Sequence, residues 1–147
     1  MNTEEIKAVF SGEKKFKGVF AADSIPLEIT RGGIIVNTDK RSEPGEHWVA
    51  IYYNGDGSCE YWDGFGLPPI VPEIILHITR TAPDGCYFNS RPVQEMTSDS
   101  CGPYCITYLT YKFSGKSMFE FVSEFCLHPS HNERKIEKLY GNLVYKL

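Results

Sequence analysis

In the first part of the chain, the repeat of apolar positions changes from one typical of a helix to one typical of a strand. Apolar residues recur at helical spacing over residues 3–10, which predicts a helix with Thr3 as its N-cap and Gly12 at its end. The pair Gly32-Gly33 then predicts a break in the chain. The apolar run over residues 34–37, directly after the break, predicts a strand.

The middle of the chain carries the clearest local pattern. Two runs rich in aromatic and β-branched residues, 47–53 and 58–62, flank the segment Asn54-Gly55-Asp56-Gly57. Asn and Gly tolerate the positive φ angles of tight turns, so this arrangement predicts an antiparallel hairpin. The preceding segment, residues 37–46, is polar and contains Pro44-Gly45, which predicts a loop.

The second half of the chain is mainly helical by its spacing. After Cys101 the apolar positions fall on one helical face, which predicts a buried central helix. The predicted elements are a helix over residues 72–79 with Pro72 in its first turn, a strand over 86–88, a helix from Cys101 to about Ser114-Gly115, a helix over 117–125, and a helix over 132–140 that ends at Gly141. A helix, a few strands and then more helices predict an α+β domain with a central sheet.

Length and composition narrow the class of protein. The 147 residues, 41% of them hydrophobic and 23% charged, predict one globular domain over residues 1–147. The net charge of −4 argues against non-specific nucleic-acid binding. No run approaches the ~20 apolar residues of a membrane span. The polar, acidic start at residues 1–5 is unlike a signal peptide, so we expect an intracellular protein that is neither secreted nor membrane-bound.

The five cysteines, at positions 59, 86, 101, 105 and 126, are expected to be mostly reduced in that compartment. They form no Cys-x-x-Cys pair, so the sequence predicts no zinc site. An odd number of cysteines is compatible with a free functional thiol.

Cys101 stands where a polar segment gives way to the predicted central helix. A thiol at a helix N-terminus lies in the positive end of the macrodipole, which favours the thiolate. Backbone N–H groups at the same place are unpaired and can bind an anion. Gln94, seven positions earlier, adds a side-chain amide donor. Considered alone, Cys101 could be a small buried hydrophobic residue, which is what we expect of Cys105 one turn later. Considered alone, Gln94 could be a polar loop residue.

His47 opens the first strand of the predicted hairpin and Asp63 follows the second strand. The start of one hairpin strand faces the end of the next, so these two side chains are expected to be neighbours. Singly, they could be a strand-end histidine and a turn aspartate, and His77 is expected to be an ordinary helix residue. Together, His47, Asp63, Gln94 and Cys101 provide a base, its orienter, an oxyanion donor and a nucleophile. That set predicts a cysteine peptidase without a metal.

Several segments together resemble the adenovirus-type cysteine endopeptidases, which share their core with the SUMO- and ubiquitin-like-protein proteases. The resemblance covers roughly residues 5–113, and its motifs are specific only in combination. The matching segments are Gly45-Glu46-His47-Trp48, Tyr61-Trp62-Asp63-Gly64-Phe65-Gly66, Ala82-Pro83-Asp84-Gly85-Cys86, and Gln94 through Cys101-Gly102.

The resemblance implies a papain-like, adenain-like core: a central mixed sheet, a buried helix carrying the nucleophile, and flanking helices. It implies that His47 is the general base, that Asp63 orients it, and that Cys101 is the nucleophile. Gln94 and the backbone N–H of Cys101 would form the oxyanion hole. Trp48 would pack beside the base and shape the cleft.

The resemblance also implies a substrate class and partners. The family cleaves protein chains next to small residues such as glycine, and viral members process precursor proteins during maturation, in the virion or the host nucleus. Adenoviral members are activated by a peptide that forms a disulfide with an enzyme cysteine. Cys86 lies on the matching string and could take this role; otherwise it is a buried or unused thiol. DNA stimulates the adenoviral enzymes, but the acidic charge of this chain argues against a DNA cofactor.

Two other functions remain open at this stage. The same parts would serve an isopeptidase that removes a SUMO- or ubiquitin-like modifier ending in Gly-Gly. The fold could also persist as a catalytically silent binding module, in which case Cys101 would not react as a thiolate.

Overall fold

The computed structural model describes residues 1–45 and 47–145. Glu46, which the sequence places in the loop before His47, lies outside the described residues, as do Lys146 and Leu147. The elements in chain order are α1 (Thr3–Val9), β1 (Phe16–Phe20), β2 (Arg31–Asn37), β3 (Trp48–Asn54), β4 (Ser58–Trp62), α2 (Pro72–Thr81), β5 (Gly85–Phe88), α3 (Cys101–Phe113), α4 (Met118–Val122), a 3-10 turn (Pro129–His131) and α5 (Glu133–Val144).

The five strands form one mixed sheet in the order β1-β2-β3-β4-β5. The outer pairs β1–β2 and β4–β5 are parallel, and the two inner pairs are antiparallel. Successive strand residues point to opposite faces. In β3, Ala50 packs on the core around α3, whereas Val49 and Ile51 pack on the core under α2. Both faces are covered by helices, as expected for an α+β fold with a central mixed sheet.

The predicted hairpin is confirmed as β3 and β4. Ala50 lies opposite Trp62, and Tyr53 lies opposite Cys59. Gly55 and Gly57 have φ angles of 82° and 90° in the connecting turn, which explains why glycine stands there. The pairing continues to the end of β4 and leaves the residues flanking Trp48 and Trp62 together at one end of the sheet.

The prediction that Gly32-Gly33 breaks the chain is wrong, because both residues lie inside β2. The reason is close packing of α3 on the strand. A Cβ atom at Gly33 would lie 2.8 Å from Leu109 and 3.0 Å from the Phe113 ring. The missing side chain therefore makes room for the helix without ending the strand.

Several helix boundaries also differ from the prediction, among them the end of α2, which is Thr81 and not residue 79. The N-cap of α1 is Asn2 and not Thr3, because Asn2 and Glu5 form a reciprocal capping box. Helix α4 is shorter than residues 117–125, since the backbone tightens into turns after Val122. Helix α5 runs through Gly141 to Val144, because Leu143 still packs on the core and prolongs the apolar face.

Helix α3 is the buried centre of the larger core. It packs on β3, and α5 and α4 flank it. The Trp62 ring of β4 stacks on Tyr108 of α3 with centroids 5.3 Å apart, which ties the helix to the sheet. Within the described residues, none of the helices combines the length and apolar character needed to span a membrane.

Candidate active site

His47 and Asp63 meet at the end of the hairpin. The His47 Nε2 atom lies 2.9 Å from Asp63 Oδ1, and the same oxygen accepts the backbone N–H of Phe65 at 2.9 Å. The Phe65 ring stacks on the imidazole with centroids 4.6 Å apart and an interplanar angle of 11°. The carboxylate and the aromatic ring together fix the orientation of the imidazole.

Asn89, just after β5, holds the backbone of Asp63. Its side chain donates to the Asp63 carbonyl at 2.6 Å and accepts the Asp63 N–H at 3.1 Å. Asn89 is only 4% exposed. Because these two contacts involve only the Asp63 backbone, the Asp63 carboxylate can bind His47 and the Phe65 N–H.

Cys101 is the first residue of α3, and its sulfur interacts with the His47 side chain. Burial raises the pKa of the Cys101 thiol, but the imidazole and the backbone N–H groups of Trp48 and Gly102 lower it below the ordinary cysteine value. Burial also disfavours the charged imidazole, yet bonds to Asp63 and Cys101 and their charges raise the pKa of His47 to about 9. The arrangement favours a thiolate–imidazolium pair at neutral pH.

Gln94 precedes Cys101 in the connection to α3 and is 1% exposed. Its Nε2 atom donates to the Ser98 carbonyl at 3.2 Å, and its Oε1 atom has no hydrogen-bond partner among the described residues. The amide packs closely against Gly64, where an added Cβ would lie 2.4 Å from Oε1. Gln94, the predicted oxyanion donor, thus lies in the segment that leads to Cys101. One N–H of its side-chain amide binds the Ser98 carbonyl of that segment, and its second N–H is available to another acceptor.

A cavity of about 1010 Å³ opens over the pair, and His47, Phe65 and Cys101 contribute to its lining. Trp48 forms part of the wall, and its indole Nε1 donates to the Met1 carbonyl at 3.1 Å. The wall also includes Met96, which is 83% exposed. An extended peptide could reach the sulfur from this open side.

Cys86 lies elsewhere, on the outer strand β5, directly opposite Cys59 of β4. The proximity of the two thiols lowers the pKa of Cys86 and raises that of Cys59. Cys86 is half-buried and does not line the cavity. The disulfide with an activating peptide, expected at Cys86 from the resemblance, stays a prediction.

The other candidate side chains have structural surroundings. Cys105 is completely buried, and burial raises the pKa of its thiol well above the ordinary value. His77 lies in α2, as expected, with its Nε2 atom 2.6 Å from the Tyr53 hydroxyl. Over residues 1–45 and 47–145, no three His, Cys, Asp or Glu side chains are grouped as metal ligands.

Sequence reasoning did not single out three polar residues whose side chains contact the segments that carry the site. Asn89 binds the Asp63 backbone, Asn132 donates to the Val93 carbonyl, and Glu133 accepts the Ser100 hydroxyl. All three lie in or next to loops, where many polar residues are merely solvated. The only available signal was their position at the end of a strand or the start of a helix. That signal does not reveal which distant backbone group each one binds.

Comparisons with known proteins relate this geometry to viral proteases. "Cysteine protease S273R" of African swine fever virus, Tick/Malawi isolate, is 32% identical over 103 residues, which cover 62% of this chain and 37% of that protein. "SUMO-1 cysteine protease S273R" of the Warthog/Namibia isolate is 31% identical over the same lengths. The chain thus spans little more than a third of the curated relatives it matches. No protein-family model matches it.

The crystal structure of the African swine fever virus pS273R protease superposes with a TM-score of 0.64 at 18% identity, covering 94% of this chain and 63% of that one. The two chains share a fold. This confirms the predicted α+β class with a papain-like, adenain-like core. The relatives are named cysteine proteases, which agrees with the broader part of the resemblance; none of these names mentions the adenoviral type.

Proposed function

We propose that residues 1–147 act as one catalytic domain, a cysteine endopeptidase with His47, Asp63 and Cys101 as its catalytic triad. The observation that carries the proposal is the position of His47. Its ring is bonded to Asp63 and also interacts with the Cys101 sulfur, and both His47 and Cys101 line an open cavity. The names of the viral relatives point to the same reaction class.

In the proposed mechanism the Cys101 thiolate attacks the carbonyl carbon of the scissile bond. The oxyanion is held by the backbone N–H of Cys101 and by the Gln94 amide, which turns from Ser98 toward the substrate. The His47 imidazolium protonates the leaving amine, and a thioester remains. His47 then accepts a proton from water, which hydrolyses the thioester and regenerates the thiolate. No metal or other cofactor takes part.

We further propose that the scissile bond lies next to a small residue such as glycine, in precursor proteins of a virus or virus-like element. The bulky side chains of Trp48, Phe65 and Met96 around the cavity support a preference for substrate residues with small side chains near the sulfur. We expect the reaction inside the host cell, in the virion or the nucleus, without DNA or a membrane as partner.

The experiment is hydrolysis of a library of glycine-containing peptides, followed by mass spectrometry. We expect cleavage by the wild-type chain and none by Cys101→Ala. Cys126→Ala, at an exposed cysteine, is the matched control and should cleave normally. Full activity of Cys101→Ala would refute the assignment, and EDTA should leave the wild-type rate unchanged.

A second candidate function is removal of a SUMO- or ubiquitin-like modifier. Two observations favour it: the chain resembles that group of proteases, and several relatives are named SUMO-1 cysteine proteases. A modifier ending in Gly-Gly and carrying an electrophile separates the two functions. Labelling of Cys101 by this probe, but not by a short glycine-containing peptide probe, would favour the deconjugating function.

The third possibility, a silent binding module, is tested by iodoacetamide at neutral pH. An activated thiolate should be alkylated quickly, whereas an inert Cys101 would revive the binding-module interpretation.

An activating peptide bonded to Cys86 also belongs to the proposal. Its support is the lowered pKa of Cys86 and its place on an outer strand of the sheet. Intact-mass measurement of the Cys101→Ala/Cys126→Ala chain with cysteine-containing peptides, under glutathione disulfide as the oxidant, should show one adduct that is lost when Cys86→Ser is added. An equal adduct on Cys86→Ser would exclude this site.

A further inference from the structure

The segment of residues 93–101, here called the oxyanion loop, is the last part of the connection from β5 to α3 together with the first residue of α3, and it carries both Gln94 and Cys101. Its two ends are held by two adjacent residues, Asn132 and Glu133, at the start of α5. We infer that Asn132 and Glu133 are positioning residues for the oxyanion hole. This inference rests on the proposed function and names the part of the fold that keeps its oxyanion donors in place.

Asn132 holds the first end of the loop. It is 1% exposed, and its Nδ2 atom donates to the Val93 carbonyl at 2.9 Å and to the Cys126 carbonyl at 3.0 Å. Its Oδ1 atom accepts the Cys126 N–H at 2.7 Å. The amide is therefore fully used, and the Tyr104 hydroxyl adds a second donor to the Val93 carbonyl at 3.3 Å.

The contact at Val93 reaches the rest of the site through Gly64. The backbone N–H groups of Val93 and Gln94 both donate to the Gly64 carbonyl at 2.9 Å. Gly64 directly follows Asp63 in the chain and packs against the Gln94 amide. A displacement at Val93 would consequently move Gln94 and the backbone that presents Asp63.

Glu133 holds the second end of the loop. Its Oε2 atom accepts the Ser100 hydroxyl at 2.8 Å, one residue before Cys101. The Ser100 N–H in turn donates to the Ser98 hydroxyl at 3.0 Å, and Ser98 supplies the carbonyl that binds Gln94. The other carboxylate oxygen of Glu133, Oε1, is buried and has no partner among the described residues. Such a group is costly to bury, which favours a role beyond filling space.

The polar contacts of α5 are separate from its apolar packing. Ile136 is 0% exposed, and Leu139 and Leu143 also pack on the core around α3. This apolar face stabilises the helix without the help of Glu133. Substituting Glu133 should therefore loosen the oxyanion loop while leaving the hydrophobic attachment of α5 in place.

The test compares two reagents on the full chain. A glycine-containing peptide aldehyde is attacked by the Cys101 sulfur: an S–C bond forms, the carbonyl π bond opens, and the resulting oxyanion occupies the oxyanion hole before it takes a proton from His47. Iodoacetamide is also attacked by the sulfur, but the reaction expels iodide and forms no oxyanion. The ratio of the two reactions therefore reports on the oxyanion hole separately from thiolate reactivity.

We expect Glu133→Ala to lower kcat and affinity for the aldehyde about tenfold, with KM and the iodoacetamide rate changed less than about twofold. Glu133→Gln should restore most of the loss, because its amide oxygen still accepts the Ser100 hydroxyl. Glu137→Ala, at an exposed position one turn further along α5, is the matched control and should resemble the wild type. Ser100→Ala provides a second, milder way to remove the contact, and it should add little to Glu133→Ala in the double variant.

If Glu133→Ala and Ser100→Ala both kept the wild-type kcat and the wild-type aldehyde affinity, the inference would be overturned while the proposed function would stand. An equal fall in the aldehyde and iodoacetamide reactions, together with a lower unfolding midpoint, would overturn it too, because it would show a merely structural role. A wild-type chain that neither cleaves glycine-containing peptides nor binds the aldehyde would overturn the proposed function, and the inference with it.

Discussion

His47, at the end of the hairpin, and His77, in α2, occupy contrasting polar sites. The His47 side chain is 15% exposed, faces a cavity and is bonded to a carboxylate, and its pKa is raised to about 9. His77 is 5% exposed and bonded to the neutral Tyr53 hydroxyl, and burial lowers its pKa. Identical imidazoles therefore acquire opposite charge preferences, because only one of them has a charged partner.

The same contrast recurs one helical turn apart in α3. Cys101 has His47 and two backbone N–H groups beside its sulfur, which lower its pKa despite burial. Cys105 has apolar surroundings, and its pKa is raised. The neighbours of each side chain, and not its residue type, therefore decide whether it carries a charge. This difference is the basis on which we propose a catalytic role for Cys101 and a structural role for Cys105.

The largest expected effect comes from removing the base. His47→Ala should lower kcat/KM for peptide cleavage about 10³-fold, because His47 both keeps Cys101 deprotonated and returns a proton to the leaving amine. His128→Ala, at an exposed histidine, is the control and should keep wild-type activity. Similar kinetics for His47→Ala and His128→Ala would show that His47 has no special role in catalysis.

A smaller effect is expected from Asp63→Asn. The amide keeps the size of the side chain but removes the charge that raises the pKa of His47, so that kcat should fall about 10- to 100-fold. The pH profile of kcat/KM should change together with kcat. A variant with the rate and profile of the wild type would show that Asp63 does not control the imidazole.

His77→Phe should affect stability and not catalysis. The substitution removes the bond to Tyr53 inside a buried cluster that also contains Thr81, which should lower the free energy of unfolding by about 1–3 kcal/mol. Urea unfolding measures this change, and peptide hydrolysis serves as the control. A large loss of activity in a folded His77→Phe chain would contradict the structural role.

The smallest effect is a difference in pH dependence. Folding lowers the pKa of His77, so the unfolded chain binds more protons at this site just below pH 6.5, and stability should decline as the pH falls below that value. Urea midpoints should therefore drop more steeply between pH 6.5 and 5 in the wild type than in His77→Phe. Both chains keep His47 and Cys101, whose contributions cancel in the comparison. Parallel pH curves would show that His77 does not titrate differently on folding.

The pairing of His47 with Asp63 could be predicted from sequence because it depends on local information. A tight turn and strand alternation bring together two residues only 16 positions apart. The start of α3 at Cys101 could likewise be predicted from the change in polarity along the chain. These two local features account for most of the candidate site.

The remaining features depend on the path of the chain in space. Asn132 binds Val93 across 39 positions and Asn89 binds Asp63 across 26, and a side chain of this kind carries no sign of its distant partner. The direction of the Gln94 amide depends on Ser98 and Gly64, which fold around it. Gly33 could not be distinguished from a chain break until Leu109 and Phe113 were seen against it.

The central claim is that Cys101 and His47 exist as an ion pair at neutral pH, and the pH dependence of Cys101 alkylation tests it most directly. Iodoacetamide would be applied between pH 5 and 9, with modification of Cys101 followed by mass spectrometry and N-acetylcysteine as the reference thiol. We predict a wild-type rate that stays nearly constant through neutral pH, while the reference rate falls about tenfold per pH unit below its pKa. His47→Ala should follow the reference. A wild-type Cys101 that also follows the reference would contradict the ion pair and, with it, the proposed catalytic site.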